Sequence, residues 1–249
     1  MQGFVSYLHW GEKIVRQIEI HHTLGSSNDF GKACIKSGGV TSGTVIWALN
    51  QISGRGRRGR TWESDGGSLT FSLLWRCPGD ELPPALTLKV GLGLVMELGR
   101  LAPELKVKWP NDLCVGSKKL GGVLAETVRR GPELWVVVGV GINVNSTPGG
   151  REERTSLYEV SGCQWPRLGV LHCALEGIEL GLELAQNGCD LTSLFMQHGN
   201  CLHRPLTIWQ GERSFRARAT AVLPDGSLLL EDEHGSRAFL PDEIRLVLV

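Results

Sequence analysis

The sequence lacks any apolar stretch long enough to span a bilayer. The longest, Leu86 to Leu98, is interrupted by Lys89 and Glu97 and reads as a buried core helix, so no membrane association is expected. Met1 to Ile20 lacks a basic segment followed by a sustained apolar run, so no secretory signal is expected either. Net charge is missing too: 26 Lys and Arg balance 26 Asp and Glu, which removes any global pull toward nucleic acid or membrane. Seven cysteines at irregular spacing, mostly inside apolar runs as at Cys34, Cys77, Cys114 and Cys163, do not form a disulfide framework. They suit reduced, packed thiols in a cytoplasmic protein. There is no internal repeat and no low-complexity tract.

What is present is the patterning of a globular chain, long enough at 249 residues for one large domain and a small one. Val15–Ile20 reads as a strand, and Ser26-Ser27-Asn28-Asp29 offers capping side chains to a helix that should end near Gly38. Strands are expected at Gly43–Leu49 and Leu69–Trp75, with the Gly/Arg-rich segment as a loop between them. A buried helix should run from Pro83 to about Gly99. Val107–Trp109, Leu113–Val115 and Lys119–Thr127 predict a meander turned at Gly116-Ser117, and Leu134–Ile142 a core strand. Leu168 to about Gln186 carries the spacing of a second long helix. After Pro205 short strands alternate with turn signals at Pro224-Asp225-Gly226-Ser227 and Glu233-His234-Gly235, which predicts a small β-barrel. The expected division is a catalytic domain over 1–202 and a C-terminal domain over 203–249.

Three segments carry chemistry. In Gln51-Ile52-Ser53-Gly54-Arg55-Gly56-Arg57-Arg58-Gly59-Arg60-Thr61-Trp62, glycines permit close backbone approach and arginines supply planar cationic donors, a combination suited to closing over phosphate or carboxylate oxygens. Taken alone, it could equally be a solvated basic loop or an RNA-binding segment. Lys108-Trp109-Pro110-Asn111-Asp112 followed by Lys118-Lys119-Leu120-Gly121-Gly122 places an acid and a base at one sheet end, where Asp112 could serve Mg²⁺ and Lys119 could neutralise developing charge. A plain β-turn with surface lysines is the competing reading. Gly139-Val140-Gly141-Ile142-Asn143 lacks the third glycine of a dinucleotide fingerprint, and no Walker-type phosphate loop occurs, so any ATP must bind another way. His198, Cys201 and His203, with His172 and Cys173 upstream, have metal-like types but irregular spacing, and packed side chains are the better reading.

In this order and spacing the segments resemble the biotin–protein ligase family from about Val15 onward. The resemblance rests on Gly54–Trp62, Lys108–Asp112, Lys118–Gly122, Gly139–Asn143 and the closing Pro-Asp-Glu-Ile-Arg-Leu. It implies an α+β fold with a mixed, mainly antiparallel sheet and helices, like class II aminoacyl-tRNA synthetases, plus a small SH3-like C-terminal β-barrel. It implies ATP-dependent ligation of biotin, through biotinyl-5′-AMP and with Mg²⁺, to a lysine of a biotin carboxyl carrier protein. No structural metal is expected, and a homodimer is allowed for. Lys119, Arg57 and Asp112 would be catalytic. Ser26, Ser27, Gln51, Gly54, Arg55, Trp62, Lys119 and Gly122 would bind biotin. Arg57, Arg60, Trp62, Asn111, Asp112 and Asn143 would bind ATP and the adenylate, with Asp112 also serving Mg²⁺. Some family members carry an N-terminal DNA-binding winged helix; the first core strand is expected too near Met1 for one here. The family's usual Asp or Glu before Ser-Thr-Asn is replaced by Gly25-Ser26-Ser27-Asn28, which keeps the hydroxyl and loses a carboxylate. The alternatives are a lipoate or octanoate–protein ligase and a non-enzymatic RNA-binding module.

Overall fold

A computed structural model describes residues 7–9, 14–147 and 153–248. In chain order the strands are β1 (Tyr7–His9), β2 (Gln17–Leu24), β3 (Thr44–Gln51), β4 (Gly54–Arg55), β5 (Thr61–Trp62), β6 (Ser68–Arg76), β7 (Leu105–Lys108), β8 (Asp112–Val115), β9 (Lys118–Arg130) and β10 (Glu133–Asn143). A second group follows: β11 (Pro205–Gln210), β12 (Arg213–Val222), β13 (Leu228–Asp232), β14 (Gly235–Phe239) and β15 (Arg245–Leu248). The helices are α1 (Ser27–Ser37), α2 (Leu86–Leu98), α3 (Leu157–Ser161), α4 (Arg167–Asn187) and α5 (Leu191–His198).

The first group forms an eight-stranded sheet in the order β1-β2-β3-β6-β10-β9-β8-β7. Among the described strands of this sheet only β2 and β3 pair in parallel, and α1 makes their crossover; every other neighbour is antiparallel. The fold is therefore α+β with a mixed, mainly antiparallel sheet, as expected. The near-continuous apolar run of β10 follows from its burial on both faces. Val136, Val138 and Val140 join the cluster that contains α2 and α4, while Trp135 and Val137 pack with Ile35, Ile46 and Leu74 on the α1 side.

Helices α2 and α4 cover the first of these faces, and glycines let their backbones touch. A Cβ on Gly93 would lie 2.1 Å from the carbonyl oxygen of Gly177 and 2.7 Å from the nitrogen of Gly181. Gly177 and Gly181 in turn face the backbone of Leu94 and Val90. Because backbone cannot swing aside as a long side chain can, Gly93→Ala is expected to cost about 2–3 kcal/mol of stability despite alanine's better helix propensity. Urea unfolding measures it, and a midpoint at or above wild type would contradict the packing described.

The C-terminal strands correct the sequence expectation. They form an open five-stranded sheet in the order β14-β13-β12-β11-β15, and no pairing joins β14 to β15 among the described residues, so there is no closed SH3-like barrel. Closure would need a bond row between those two edges. They are only five and four residues long, and the segment joining them turns instead to the Gly/Arg loop, where Pro241 and Asp242 meet Arg57. The apolar face of this sheet is buried by packing on the rest of the chain. Leu206, Ile208, Ala219, Leu228, Leu230 and Leu246 belong to the same buried cluster as α2 and β7, and Trp109 Nε1 donates to Gly226 O at 2.9 Å.

Candidate active site

Every residue that the family resemblance assigned to the site except Gly54 lines one cavity of about 870 Å³: Ser26, Ser27, Gln51, Arg55, Arg57, Arg60, Trp62, Asn111, Asp112, Lys119, Gly122 and Asn143. Gly54 lies behind the wall, in the β4–β5 ribbon, where a Cβ would come 2.5 Å from Trp62 O. This ribbon and the 3₁₀ turn Arg57–Gly59 give the Gly/Arg segment more order than the plain loop its composition predicts.

One end of the cavity is polar but uncharged. Ser26 caps α1, its Oγ accepting from Asp29 N at 3.4 Å, which leaves its hydroxyl hydrogen as a donor. Gln51, at the end of β3, accepts the Ser27 N–H on Oε1 at 2.6 Å, which leaves its Nε2 hydrogens as donors. Ser27 Oγ lies 2.7 Å from Ser72 Oγ, and Ser72 Oγ lies 2.6 Å from Asn28 Oδ1. Ser26, Ser27, Asn28 and Ser72 are all at most 5% exposed, so a ligand entering here must satisfy hydrogen bonds with little help from water.

The other end is ionic. Asn111 sits in the turn after β7, and Asp112 opens β8. Register then brings Asp112 opposite Gly122 of β9, and Lys119 Nζ reaches Asp112 Oδ1 at 2.5 Å. A Cβ on Gly122 would sit 3.4 Å from both members of this pair, so glycine keeps the approach to it open. Lys119 Nζ also lies 5.9 Å from the Trp62 ring centroid. Asn111 donates to Val123 O and accepts Arg57 Nη1, each at 2.9 Å, and Asn143 Nδ2 donates to Thr155 O at 3.0 Å.

Cys114 also lines this end, and burial together with the neighbouring Asp112 charge pushes its thiol up to about 12. A thiol so held is no nucleophile near neutrality. Iodoacetamide at pH 8 is expected to label the exposed Cys163 and spare Cys114, with peptide mass spectrometry as the readout; rapid labelling of Cys114 in the folded protein would contradict its burial.

Three arginines of the loop are engaged by oxygens from outside it. Arg55 meets Asp29 at 2.8 Å and Glu126 at 3.2 Å. Arg57 bridges to the C-terminal sheet through Pro241 O at 3.0 Å and Asp242 Oδ1 at 2.8 Å, and Arg58 donates to Asp242 O. The turn is tight, with Arg58 at φ 56° and Gly59 at φ 70°. Arg60 is exposed, its Nε 3.5 Å from Arg57 O.

Among the described residues no three His, Cys, Asp or Glu side chains gather around a common point that could hold a metal ion. Asp112 supplies a single carboxylate, already in contact with Lys119. That donor set fits a Mg²⁺ whose remaining ligands are substrate phosphates and water.

Sequence reasoning gave no site role to three residues here, Asn28, Ser72 and Glu126, and took Gly139 and Gly141 only as an incomplete fingerprint. The two glycines form no anion loop; they make room. A Cβ on Gly139 would fall 2.1 Å from Asn28 Oδ1, and one on Gly141 would fall 2.5 Å from the Trp62 ring. The glycines of Gly139-Val140-Gly141, alternating on a strand, were the available signal, since residues two apart share a face.

Residues 21–143 match the model of the biotin/lipoate A/B protein ligase family. The structure superposes on that of a biotin protein ligase from Aquifex aeolicus in complex with biotin and ATP, with a TM-score of 0.79 and 28% identity, covering 93% of this chain and 99% of that one. In sequence the chain is 33% identical over 141 residues to the biotin–[acetyl-CoA-carboxylase] ligase of Mycobacterium tuberculosis, spanning 53% of this chain and 51% of that protein. It is also 30% identical over 221 residues to the bifunctional ligase/repressor BirA of Escherichia coli, covering 84% of this chain and 68% of that protein. With that identity over that span, the chain belongs to the biotin–protein ligases of the biotin/lipoate A/B protein ligase family.

Proposed function

We infer that this protein activates biotin with ATP and transfers it to a lysine of a biotin carboxyl carrier protein or domain. The observation that carries this reading is the division of one cavity into a buried, neutral donor–acceptor end and an ionic end. A cyclic urea presents one carbonyl acceptor flanked by two N–H donors. Ser26 and Gln51 supply donors to the carbonyl, Ser27 and its surroundings answer the N–H groups, and the backbone beside Arg55 borders the same ring. Trp62 and Gly122 flank the valeryl chain, which leads the carboxylate to Lys119.

In the first step the biotin carboxylate oxygen attacks the α-phosphorus of ATP. The new acyl–phosphate bond forms as the bond to pyrophosphate breaks. Lys119, steadied by Asp112, neutralises the charge shared by carboxylate and phosphate, and Arg57 with Asn111 orients the phosphate for in-line displacement. Asn143 and Arg60 border the nucleotide. Mg²⁺ arriving with ATP would screen the phosphate charge beside Asp112. In the second step the carrier lysine's amine attacks the acyl carbon and AMP leaves. The Gly/Arg loop covers the mixed anhydride against water meanwhile. Residues 1–202 supply this chemistry, and residues 203–249 brace the loop through Pro241 and Asp242.

The two rivals fit less well. A dithiolane ring offers no N–H or carbonyl, so lipoate would leave Ser26, Ser27 and Gln51 unmatched in a buried pocket. An RNA-binding loop needs displayed cations, whereas Arg55, Arg57 and Arg58 are already paired with protein oxygens. Biotin-dependent ATP–pyrophosphate exchange tests the reading against both. Exchange is expected with biotin and near background with lipoate or octanoate; the reverse preference, or salt-sensitive RNA affinity without any exchange, would overturn it.

A further inference from the structure

Ser27 offers its hydroxyl to a ligand, and a hydroxyl can turn either way, as donor or acceptor. Here its direction is set from a distance. Asn28 Nδ2 lies 2.8 Å from Glu126 Oε2 and 3.4 Å from Leu124 O, both pure acceptors, so the amide cannot flip and Oδ1 must face Ser72. Oδ1 only accepts, and Ser72 has one hydrogen, so Ser72 donates to Asn28 at 2.6 Å. Ser72 Oγ stands in donor geometry toward both Asn28 Oδ1 and, at 2.7 Å, Ser27 Oγ, but one hydrogen cannot serve both; with it committed to Asn28, the Ser27 contact is completed by the Ser27 hydrogen. The Ser27 hydrogen is thereby committed away from the cavity and its lone pairs remain.

The start of the relay is anchored by charge. Burial opposes ionisation of Glu126, but hydrogen bonds from Lys32 and Asn28, with the charges of Lys32 and Arg55, hold its carboxyl below the usual range. Lys32 Nζ sits 2.7 Å from Glu126 Oε1 and 2.9 Å from Asp29 Oδ1. The room for Asn28 comes from Gly139. Nothing in this chain of bonds depends on the residue before Ser26, so the glycine at 25 leaves it intact.

We infer that Glu126, Asn28 and Ser72 are positioning residues that fix the polarity of Ser27, so that it meets the bound ring as an acceptor and selects a ring N–H. This rests on the reading of the cavity as a biotin site. Steady-state pyrophosphate exchange with wild type, Ser72→Ala, Ser27→Ala and the double variant tests it. Ser72→Ala is expected to raise the KM for biotin about tenfold and leave the KM for ATP within about twofold, because only the ureido end loses its fixed partner. In the Ser27→Ala background the same change should have no further effect, since there is no hydroxyl left to orient. Glu126→Gln, at a partly buried position, carries the test if Ser72→Ala does not fold. A glutamine can present either amide atom to Asn28, and a rise of about threefold in biotin KM alone is expected. An unchanged biotin KM in the single variants, an equal rise in both KM values, or effects of Ser27→Ala and Ser72→Ala that simply multiply, would overturn the inference. Absence of biotin-dependent exchange in the wild type would overturn the underlying reading instead.

Discussion

Lys119→Ala is expected to slow biotin-dependent ATP–pyrophosphate exchange by about 10²–10³-fold, the loss typical of removing one preorganised charge partner from a site where negative charge is being rearranged. The effect should fall mainly on kcat. Two anions, a carboxylate and a phosphate, must be brought into contact, and Lys119 stands in the ionic end of the cavity with its Nζ 2.5 Å from Asp112. The alanine variant also leaves the Asp112 carboxylate without its cation, facing the incoming phosphates. Lys119→Ala with Asp112→Asn should therefore be less impaired than the sum of the two single losses, because the second change removes a repulsion that the first creates. Rapid exchange by Lys119→Ala at saturating substrates would show that charge neutralisation lies elsewhere.

Arg57→Gly is expected to release the adenylate about 10–100-fold faster than wild type, while still forming it. The guanidinium of Arg57 meets three oxygens on two other parts of the molecule: Asn111 Oδ1 of the β7–β8 turn at 2.9 Å, and Pro241 O at 3.0 Å and Asp242 Oδ1 at 2.8 Å in the segment before β15. Its loss removes a charge-assisted contact to phosphate and also the tie between the Gly/Arg loop and the C-terminal sheet. Labelled adenylate should coelute with the wild type on gel filtration and trail away from the variant. Equal retention by the two proteins would mean that closure does not run through Arg57.

How much of this was legible in the sequence differs from residue to residue, for physical reasons. The β10 strand is legible because burial on both faces writes itself as an unbroken apolar run, and α1 because Ser26 and Gly38 mark both its ends. The ionic end is legible because Asp112 and Lys119 are joined by a single hairpin. The neutral end is only half legible. Asn28 and Glu126 are 98 positions apart, and Ser72 reads as one more small residue in a core strand, so no local pattern announces that they share hydrogen bonds. Gly139 and Gly141 read only as an incomplete dinucleotide fingerprint, whereas in the fold they give steric clearance to Asn28 and Trp62. Turn signals after Pro205 specify hairpins, yet closure is decided by whether the outer strands meet. Here the segment between β14 and β15 is drawn to Arg57 and Arg58.

The reaction inferred for this chain joins biotin to protein through a biotinyl adenylate. Its most direct test is intact-mass measurement of a purified biotin carboxyl carrier domain incubated with the enzyme, biotin and Mg·ATP. The expected result is one added biotinyl group per domain, on a single lysine, absent when ATP is withheld and nearly absent with Lys119→Ala. A carrier domain left unmodified by an enzyme that binds both biotin and ATP, or one modified equally well by lipoate, would contradict it.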